Sequence, residues 1–146
     1  MTLRLVGRAV ALATCALGAA CSAAAILDGG ARDVAGVVIS DGVAARVSAP
    51  DTITHGVSFD VSFSTFAGGC TRSIAHDDVT ISGSAVEIRP YDRYSGGGTC
   101  TTDMIFLNRV LPMRLDTPGS YLIHVIGQQT GSTTGPTEIT RPITVR

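Results

Sequence analysis

The sequence predicts an all-β fold, a single antiparallel β-sandwich of about seven short strands. Within the strand predicted at Val57 to Phe66, residues Val57 to Ser64 alternate apolar and polar side chains, which is typical of a strand with one buried face. Residues 78–90 predict a hairpin whose strands are joined by Gly83 and Ser84. No segment carries the 3.6-residue apolar period of an amphipathic helix. These patterns together favour strands that are connected by turns.

The register of the hairpin is also predicted. A two-residue loop that begins with glycine suits a type II′ turn. With that loop at residues 83–84, Ile81 pairs with Val86. The next apolar pair is then Val79 with Ile88, so all four side chains lie on one face of the hairpin.

Three further segments predict strands. Residues 104–115 form a strand pair or one bent strand, in which Pro112 indicates an edge or a bulge. Residues 120–127 and 138–146 form two more strands. The polar, glycine-rich residues 128–137 between them predict an exposed, mobile loop.

The turn before one of these strands carries a motif. Asp116, Gly119 and Tyr121 resemble the corner of immunoglobulin-like domains, where a tyrosine bonds to backbone a few residues upstream. In contrast to antibody domains, the chain has no tryptophan, and Cys70 and Cys100 are expected at loop ends. The resemblance implies an Ig-like sandwich, a fold whose domains mostly bind, space or scaffold.

The N-terminal residues have the pattern of a secretory signal. Arg4 and Arg8 precede an uncharged stretch from Ala9 to Ala20, and Cys21 follows. A basic start, an apolar stretch of about 7–15 residues and small residues before the cleavage site are the parts of such a signal. The stretch is too short to span a bilayer, which needs about 20 apolar residues. We therefore expect export and no transmembrane helix.

Ala19, Ala20 and Cys21 resemble the lipobox of bacterial lipoproteins, which is cut before its cysteine. Gly18 stands where that family prefers leucine, so ordinary secretion with nearby cleavage is the alternative. The resemblance implies lipid attachment at Cys21. Ser22 after the cysteine implies sorting to the outer membrane, with the domain facing the periplasm or the cell surface.

These features divide the chain into three parts. Residues 1–20 are the signal peptide, residues 21–42 are the lipid attachment site and a flexible tether, and residues 43–146 are the Ig-like sandwich. Within the tether, residues 34–40 are either a first strand or a sticky linker.

The cysteines predict one disulfide bond. Cys15 is removed with the signal and Cys21 takes the lipid, which leaves Cys70 and Cys100 in an oxidising compartment. A bridge between them closes about thirty residues and stabilises by roughly 3–4 kcal/mol in the chain-entropy model.

Composition and motifs argue against several function classes. The formal charge is −1, so the chain lacks the basic surface that nucleic acids require. It has no serine elbow and no phosphate-binding loop. We therefore expect a monomeric, non-enzymatic module without a cofactor, which binds an envelope protein or has a structural role. A secreted inhibitor or adhesin-like module is the alternative.

Residues 89–100 are the strongest candidate for a partner-binding loop. Arg89, Tyr91, Arg93 and Tyr94 are of the residue types that are enriched at binding hot spots. The alternative is that the tyrosines pack on the sandwich edge while the arginines pair with nearby aspartates.

A metal site is not predicted. His76, Asp77 and Asp78 are consecutive but lack a metal-binding spacing, which favours a solvated turn. Potential copper ligands are present but are not brought together by any sequence pattern: His55, His76, His124, Met104 and Met113. A periplasmic metal carrier is therefore the least favoured binding function.

Overall fold

The computed structural model describes residues 30–68, 72–96 and 103–146, and within them it is all-β, as predicted. No described residue belongs to a helix, and so none lies in a helix that could cross a membrane. The strands are β1 (Arg32–Ala35), β2 (Val37–Ser40), β3 (Val43–Ala44), β4 (Val47–Ser48), β5 (Thr52–Ile53), β6 (Ser58–Gly68), β7 (Arg72–Ser82), β8 (Ala85–Tyr94), β9 (Met104–Arg114), β10 (Gly119–Thr130) and β11 (Gly135–Val145).

The strands form one curled sheet whose two halves face each other as a sandwich. In one half, β10 lies between β11 and β8, β7 covers the outer edge of β8, and β5 adds to β11. In the other half, β6 pairs with β9 on one side and with β4 and β2 on the other. Most of these pairs are antiparallel, but β10 runs parallel to β8 and β2, and β5 runs parallel to β11. The described part of the chain therefore has more strands than the predicted seven, six of them long.

The two halves are joined where the first two strands meet. β1 pairs with β8, whereas β2 pairs with β10 and β6. Between them, the backbone N of Gly36 donates to the O of Pro90 at 2.8 Å, and its O accepts from the N of Gln128 at 2.8 Å. Of the two alternatives for residues 34–40, the structure shows the strand and not the linker, because β1 and β2 belong to the sheet and Val38 is fully buried in the core. The sheet therefore begins within the segment predicted as a tether.

The core lies between β6 and the strands of the opposite half. Phe59, Val61 and Phe63 are buried on the inner face of β6, as the alternating pattern predicts. Val57 precedes the strand and is exposed, so the buried series begins at Phe59 and not, as predicted, at Val57. The opposite half contributes buried side chains that include Val86, Ile88, Ile123, Val125 and Ile143.

The predicted hairpin is confirmed together with its register. Ile81 pairs with Val86 and Val79 pairs with Ile88, and Gly83 has a φ of 57°. The two strands differ in burial, however. Val86 and Ile88 are fully buried, whereas Val79 and Ile81 are largely exposed, because β7 pairs with β8 alone among the described strands and lies at the rim of the core.

The predicted tyrosine corner is also confirmed. The hydroxyl of Tyr121 donates to the backbone O of Thr117 at 3.0 Å. Further along, the predicted loop at 128–137 is shorter than expected, since β10 continues to Thr130 and β11 begins at Gly135.

One continuous strand, β9, accounts for most of residues 104–115. It pairs with β6 alone among the described strands, so the edge position that Pro112 indicates is confirmed.

Candidate functional site

A buried arginine ties the two halves of the sandwich together. Arg109 lies on the inner face of β9, and 1% of its side chain is exposed. Its Nη1 donates to the backbone O of His76 at 3.3 Å and to Oδ1 of Asp77 at 2.6 Å. Its Nη2 donates to the backbone O of Tyr91 at 2.9 Å and to Oδ1 of Asp92. Since these acceptors belong to β7 and β8, the arginine links β9 to both strands of the opposite hairpin.

The carboxylate beside Arg109 is completely buried. Asp92 lies on the inner face of β8, in the same alternating series as Ile88, and is 0% exposed. Its Oδ1 also accepts from Thr65 Oγ1 at 3.1 Å. Its Oδ2 lies 3.8 Å from Nη1 of Arg72, and neither of these atoms has a hydrogen-bond partner among the described residues. Two arginines thus share one buried carboxylate, the arrangement by which proteins tolerate a buried charge.

Asp77 is the second carboxylate of this group. A shift of register between Ile74 and His76 precedes it on β7, and Asp77 then lies opposite Pro90 with its side chain on Arg109. Burial raises the pKa of the Asp77 carboxyl above its ordinary value, although Arg109 acts in the opposite direction. The buried ionic cluster therefore consists of Arg72, Asp77, Asp92 and Arg109.

A cavity of about 400 Å³ opens beside Arg72, where the ends of six strands meet. Its polar lining includes the hydroxyls of Ser40 and Thr130, of which Thr130 donates to Ser40 at 3.1 Å. Arg72 is the charged residue among the described residues that line the cavity. The apolar lining comes from Val37, Phe66, Ala67 and Met104. The volume is at the lower end of the range for small-molecule sites, about 300–1,000 Å³.

An apolar surface continues from the cavity along the outer face of β9. Met104, Phe106 and Val110 lie on that face, and each is more than half exposed. The ring of Phe106 lies 5.1 Å from that of Phe66, which lines the cavity. Asn108 lies between Phe106 and Val110 on the same face, so the apolar surface next to the cavity is formed by Met104 and Phe106. Exposed apolar surface beside a concave opening is typical of binding sites in soluble domains. The cavity and this strand face together form the candidate functional site.

The turn predicted at His76, Asp77 and Asp78 is wrong, because these residues lie within β7. Asp77 belongs to the buried ionic cluster. His76 stacks on the ring of Tyr91 with centroids 4.7 Å apart, and its Nδ1 lies 3.6 Å from Oδ2 of Asp33. Its Nε2 lies 3.9 Å from Oδ1 of Asp78. Of the three side chains predicted to be solvated, Asp77 forms a buried ion pair, whereas His76 and Asp78 lie on the outer surface.

The predicted binding loop is corrected in the same way. Arg89, Tyr91, Arg93 and Tyr94 belong to β8, and residues 97–100 of that segment lie outside the described residues.

The side chains of β8 already have partners within the fold. Nη2 of Arg89 donates to Oε2 of Glu87 at 3.1 Å, and Nε of Arg93 lies 2.7 Å from Oδ1 of Asp33. Tyr94 lies under the guanidinium of Arg32, 5.4 Å from the ring centroid. The alternative, in which the tyrosines pack and the arginines form ion pairs, agrees better with this arrangement.

The residues considered for a metal do not come together. His55 lies in the turn before β6, whereas Nδ1 of His124 on β10 lies 3.0 Å from Oε2 of Glu138. Met104 and Met113 are nine positions apart on one strand. Within residues 30–68, 72–96 and 103–146, no three His, Cys, Asp or Glu side chains are grouped to hold a metal ion. The three predicted cysteine positions, Cys21, Cys70 and Cys100, lie outside those ranges.

Sequence reasoning missed the buried ionic cluster, although a signal for it was present. Asp92 continues the inward-facing series that includes Ile88, and Arg109 lies between Leu107 and Leu111 at an inward position of its own strand. A charged residue in the apolar series of a strand indicates a buried ion pair, because an unpaired charge would be too costly there.

Comparison with known proteins gives no further assignment. No family model matches the chain, and no curated protein or solved structure matches it.

Proposed function

We propose that this chain is a non-enzymatic lipoprotein of the bacterial envelope and that its sandwich is a small binding module. The observation that carries the binding role is the cavity beside Arg72 with the apolar face of β9 next to it. An apolar, concave lining with a few polar groups is typical of ligand sites. The strand face of Met104 and Phe106 provides apolar contact area beside the opening.

The anchor in this proposal is a lipid on Cys21. It is supported by the basic start, the apolar stretch and the two alanines before that cysteine. A lipid attached there would hold a monomeric domain at the outer membrane, facing the periplasm or the cell surface.

The proposal includes a disulfide bond between Cys70 and Cys100. Gly68, two residues before the first cysteine, pairs with Met104, four residues after the second. Both cysteine segments are therefore connected to the same end of the β6–β9 pair. A few residues of chain, each spanning at most about 3.6 Å, are enough to bring the two Cα atoms within the range of about 4.4–6.8 Å that a bridge needs.

Intact mass measurement of the protein from bacterial membranes tests the anchor and the bridge together. We expect a chain that begins at Cys21, carries acyl groups and gains two hydrogens on reduction. Cys21→Ser should abolish acylation and release the protein from the membrane fraction. Cys15→Ser is the matched control, since it alters the other cysteine of the signal and should leave acylation intact. An unlipidated chain that begins elsewhere would replace the anchor with ordinary secretion.

Site-specific cross-linking in cells tests the binding role. A photoreactive amino acid in place of Phe106 should form a discrete adduct with an envelope component. The same residue in place of Arg114 is the control, because Arg114 lies at the other end of β9 and is exposed. Equal labelling from both positions, or none from either, would contradict a binding site at this face.

A further inference from the structure

We propose that the cavity beside Arg72 binds a single-chain fatty acid, with the carboxylate on the guanidinium and the acyl chain on the apolar lining. This inference rests on the proposed binding function and names the ligand class of the same site. It follows from the size of the cavity, from its apolar lining and from the position of Arg72 among its described lining residues.

The size of the cavity favours one acyl chain. A volume of about 400 Å³ holds roughly a dozen heavy atoms, if each takes the ~30 Å³ that a water molecule occupies in the liquid. That is the size of a ten-carbon carboxylate and is too small for a lipid with two chains. A longer chain could continue from the opening over Met104 and Phe106, which are both exposed.

The lining favours an amphiphile. Val37, Phe66 and Ala67 are buried side chains that provide an apolar wall, and Met104 adds a flexible one. The hydroxyls of Ser40 and Thr130 already bond to each other, so they do not require a polar ligand. Contact with this wall would remove apolar ligand surface from water, which favours a hydrocarbon chain.

The charge favours an anion. Oδ1 of Asp92 accepts hydrogen bonds from Arg109 and Thr65. Its Oδ2 is 3.8 Å from Nη1 of Arg72, which is beyond hydrogen-bond distance. Nη1 of Arg72 is buried without a hydrogen-bond partner in the described part of the chain. A carboxylate in the cavity could accept from this guanidinium, because the planar N–H groups of arginine match a carboxylate geometrically. Nη1 itself is buried against Asp92 and is not reached from the cavity, so the carboxylate would accept from the other N–H groups of this side chain, which is 27% exposed and lines the cavity.

Photolabelling of the full chain in its own membranes tests this proposal. The probe is decanoate that carries a diazirine near the end of its chain, and the labelled peptides are identified by mass spectrometry. We expect labels in the peptides that contain Phe66 or Met104, and we expect unmodified decanoate to compete. Mapping the label separates binding in the cavity from general partition into the bilayer.

The variants test which residues are responsible. Arg72→Gln should lower the labelling by about tenfold or more, the loss expected for one charge-assisted hydrogen bond. Arg114→Gln, at an exposed arginine near the opposite end of β9, should leave it unchanged. Gly68→Leu should also abolish labelling. A Cβ at Gly68 meets no atom within 4 Å and lies on the same strand face as Phe66, so the new side chain can fill the cavity while the ionic cluster stays intact.

Three outcomes would overturn the inference. Equal labelling by the uncharged decanol analogue would show that Arg72 does not select an anion. Stronger competition by decyl phosphate than by decanoate would assign the site to a phosphate headgroup. Labelling confined to other peptides would show that the cavity is not the site. None of these results alters the mass measurement or the cross-linking at Phe106, so a failure of the fatty acid can be told from a failure of the proposed function.

Discussion

Replacement of Arg109 by methionine tests the energetic role of the buried ionic cluster. The variant loses four hydrogen bonds and leaves the carboxylate of Asp92 at 0% exposure with Thr65 as its hydrogen-bond donor. Removal of one partner from a buried ion pair costs about 3–5 kcal/mol, because the remaining charge stays desolvated. A domain of this size has a free energy of unfolding of about 5–15 kcal/mol, so the variant should lose a large part of its stability.

Urea denaturation measures this loss. With a slope of about 2 kcal/mol per molar urea, a cost of about 4 kcal/mol lowers the midpoint by about 2 M. The slope itself should be unchanged if the variant still folds to the same structure. The control is Arg114→Ala, which breaks an exposed ion pair with Asp116 and should cost less than about 1 kcal/mol.

A double variant separates the charge effect from a packing effect. Arg109→Met combined with Asp92→Leu removes both members of the fully buried pair, and it should regain most of the stability that the single variant loses. Asp77, whose pKa burial already raises, loses the arginine that lowers its pKa, which favours its uncharged form further, and Arg72 is partly exposed to solvent. A single variant that costs no more than the Arg114→Ala control, or a double variant no more stable than the single one, would refute this reasoning.

Three other predictions concern stability. Gly127→Ala would place a Cβ in overlap with the O of Gly36 at the strand crossing, so urea denaturation should show a loss of about 1–3 kcal/mol or more, whereas Gly68→Ala, in open space, should show almost none. Tyr121→Phe removes the corner hydrogen bond and should cost about 1 kcal/mol in the same assay, and an unchanged midpoint would argue against that bond. Because burial raises the pKa of Asp77, its contribution to stability is complete below the ordinary aspartate pKa and is lost as the pH rises through the folded-state pKa. Asp77→Asn should therefore flatten the part of a urea-midpoint profile that lies just above the ordinary aspartate pKa, and an unchanged slope there would contradict the shift.

Local patterns predicted the elements whose geometry is decided within a few residues. The turn at Gly83 sets the register of its own hairpin, and Tyr121 bonds to a carbonyl four residues away. Such interactions need no information about the rest of the chain, which is why the sequence was sufficient for them.

Pairings between distant segments were not predictable in this way. Val37 and Val38 belong to a segment that the sequence leaves open as a first strand or a sticky linker, until β6 and β10 are known to lie beside it. Residues 89–100 were predicted as a loop, yet Pro90 lies in β8, just where pairing with β10 has ended at Ile88 and pairing with β1 begins at Tyr91. The missing N–H of a proline costs no ladder hydrogen bond at such a gap.

The cavity and the neighbouring ionic cluster were not predicted, because both depend on these distant pairings. Arg72 and Met104 become neighbours of one cavity only when the strand ends converge, and the sequence gives no direct indication of that convergence. The inward positions of Asp92 and Arg109 were visible in the strand pattern, but their pairing required the fold.

The shared carboxylate connects stability with binding. Asp92 is hydrogen-bonded to Arg109, so it compensates the charge of Arg72 only through a longer contact. An anion in the cavity would add a direct acceptor for the exposed part of the Arg72 side chain. A ligand that binds the folded state alone stabilises it by about 2.7 kcal/mol when its free concentration is a hundred times Kd. Decanoate should therefore raise the urea midpoint of the protein, and Arg72→Gln should remove most of that increase. If decanoate raises the midpoint equally in both proteins, the apolar wall binds it without the guanidinium, and the cluster serves stability alone.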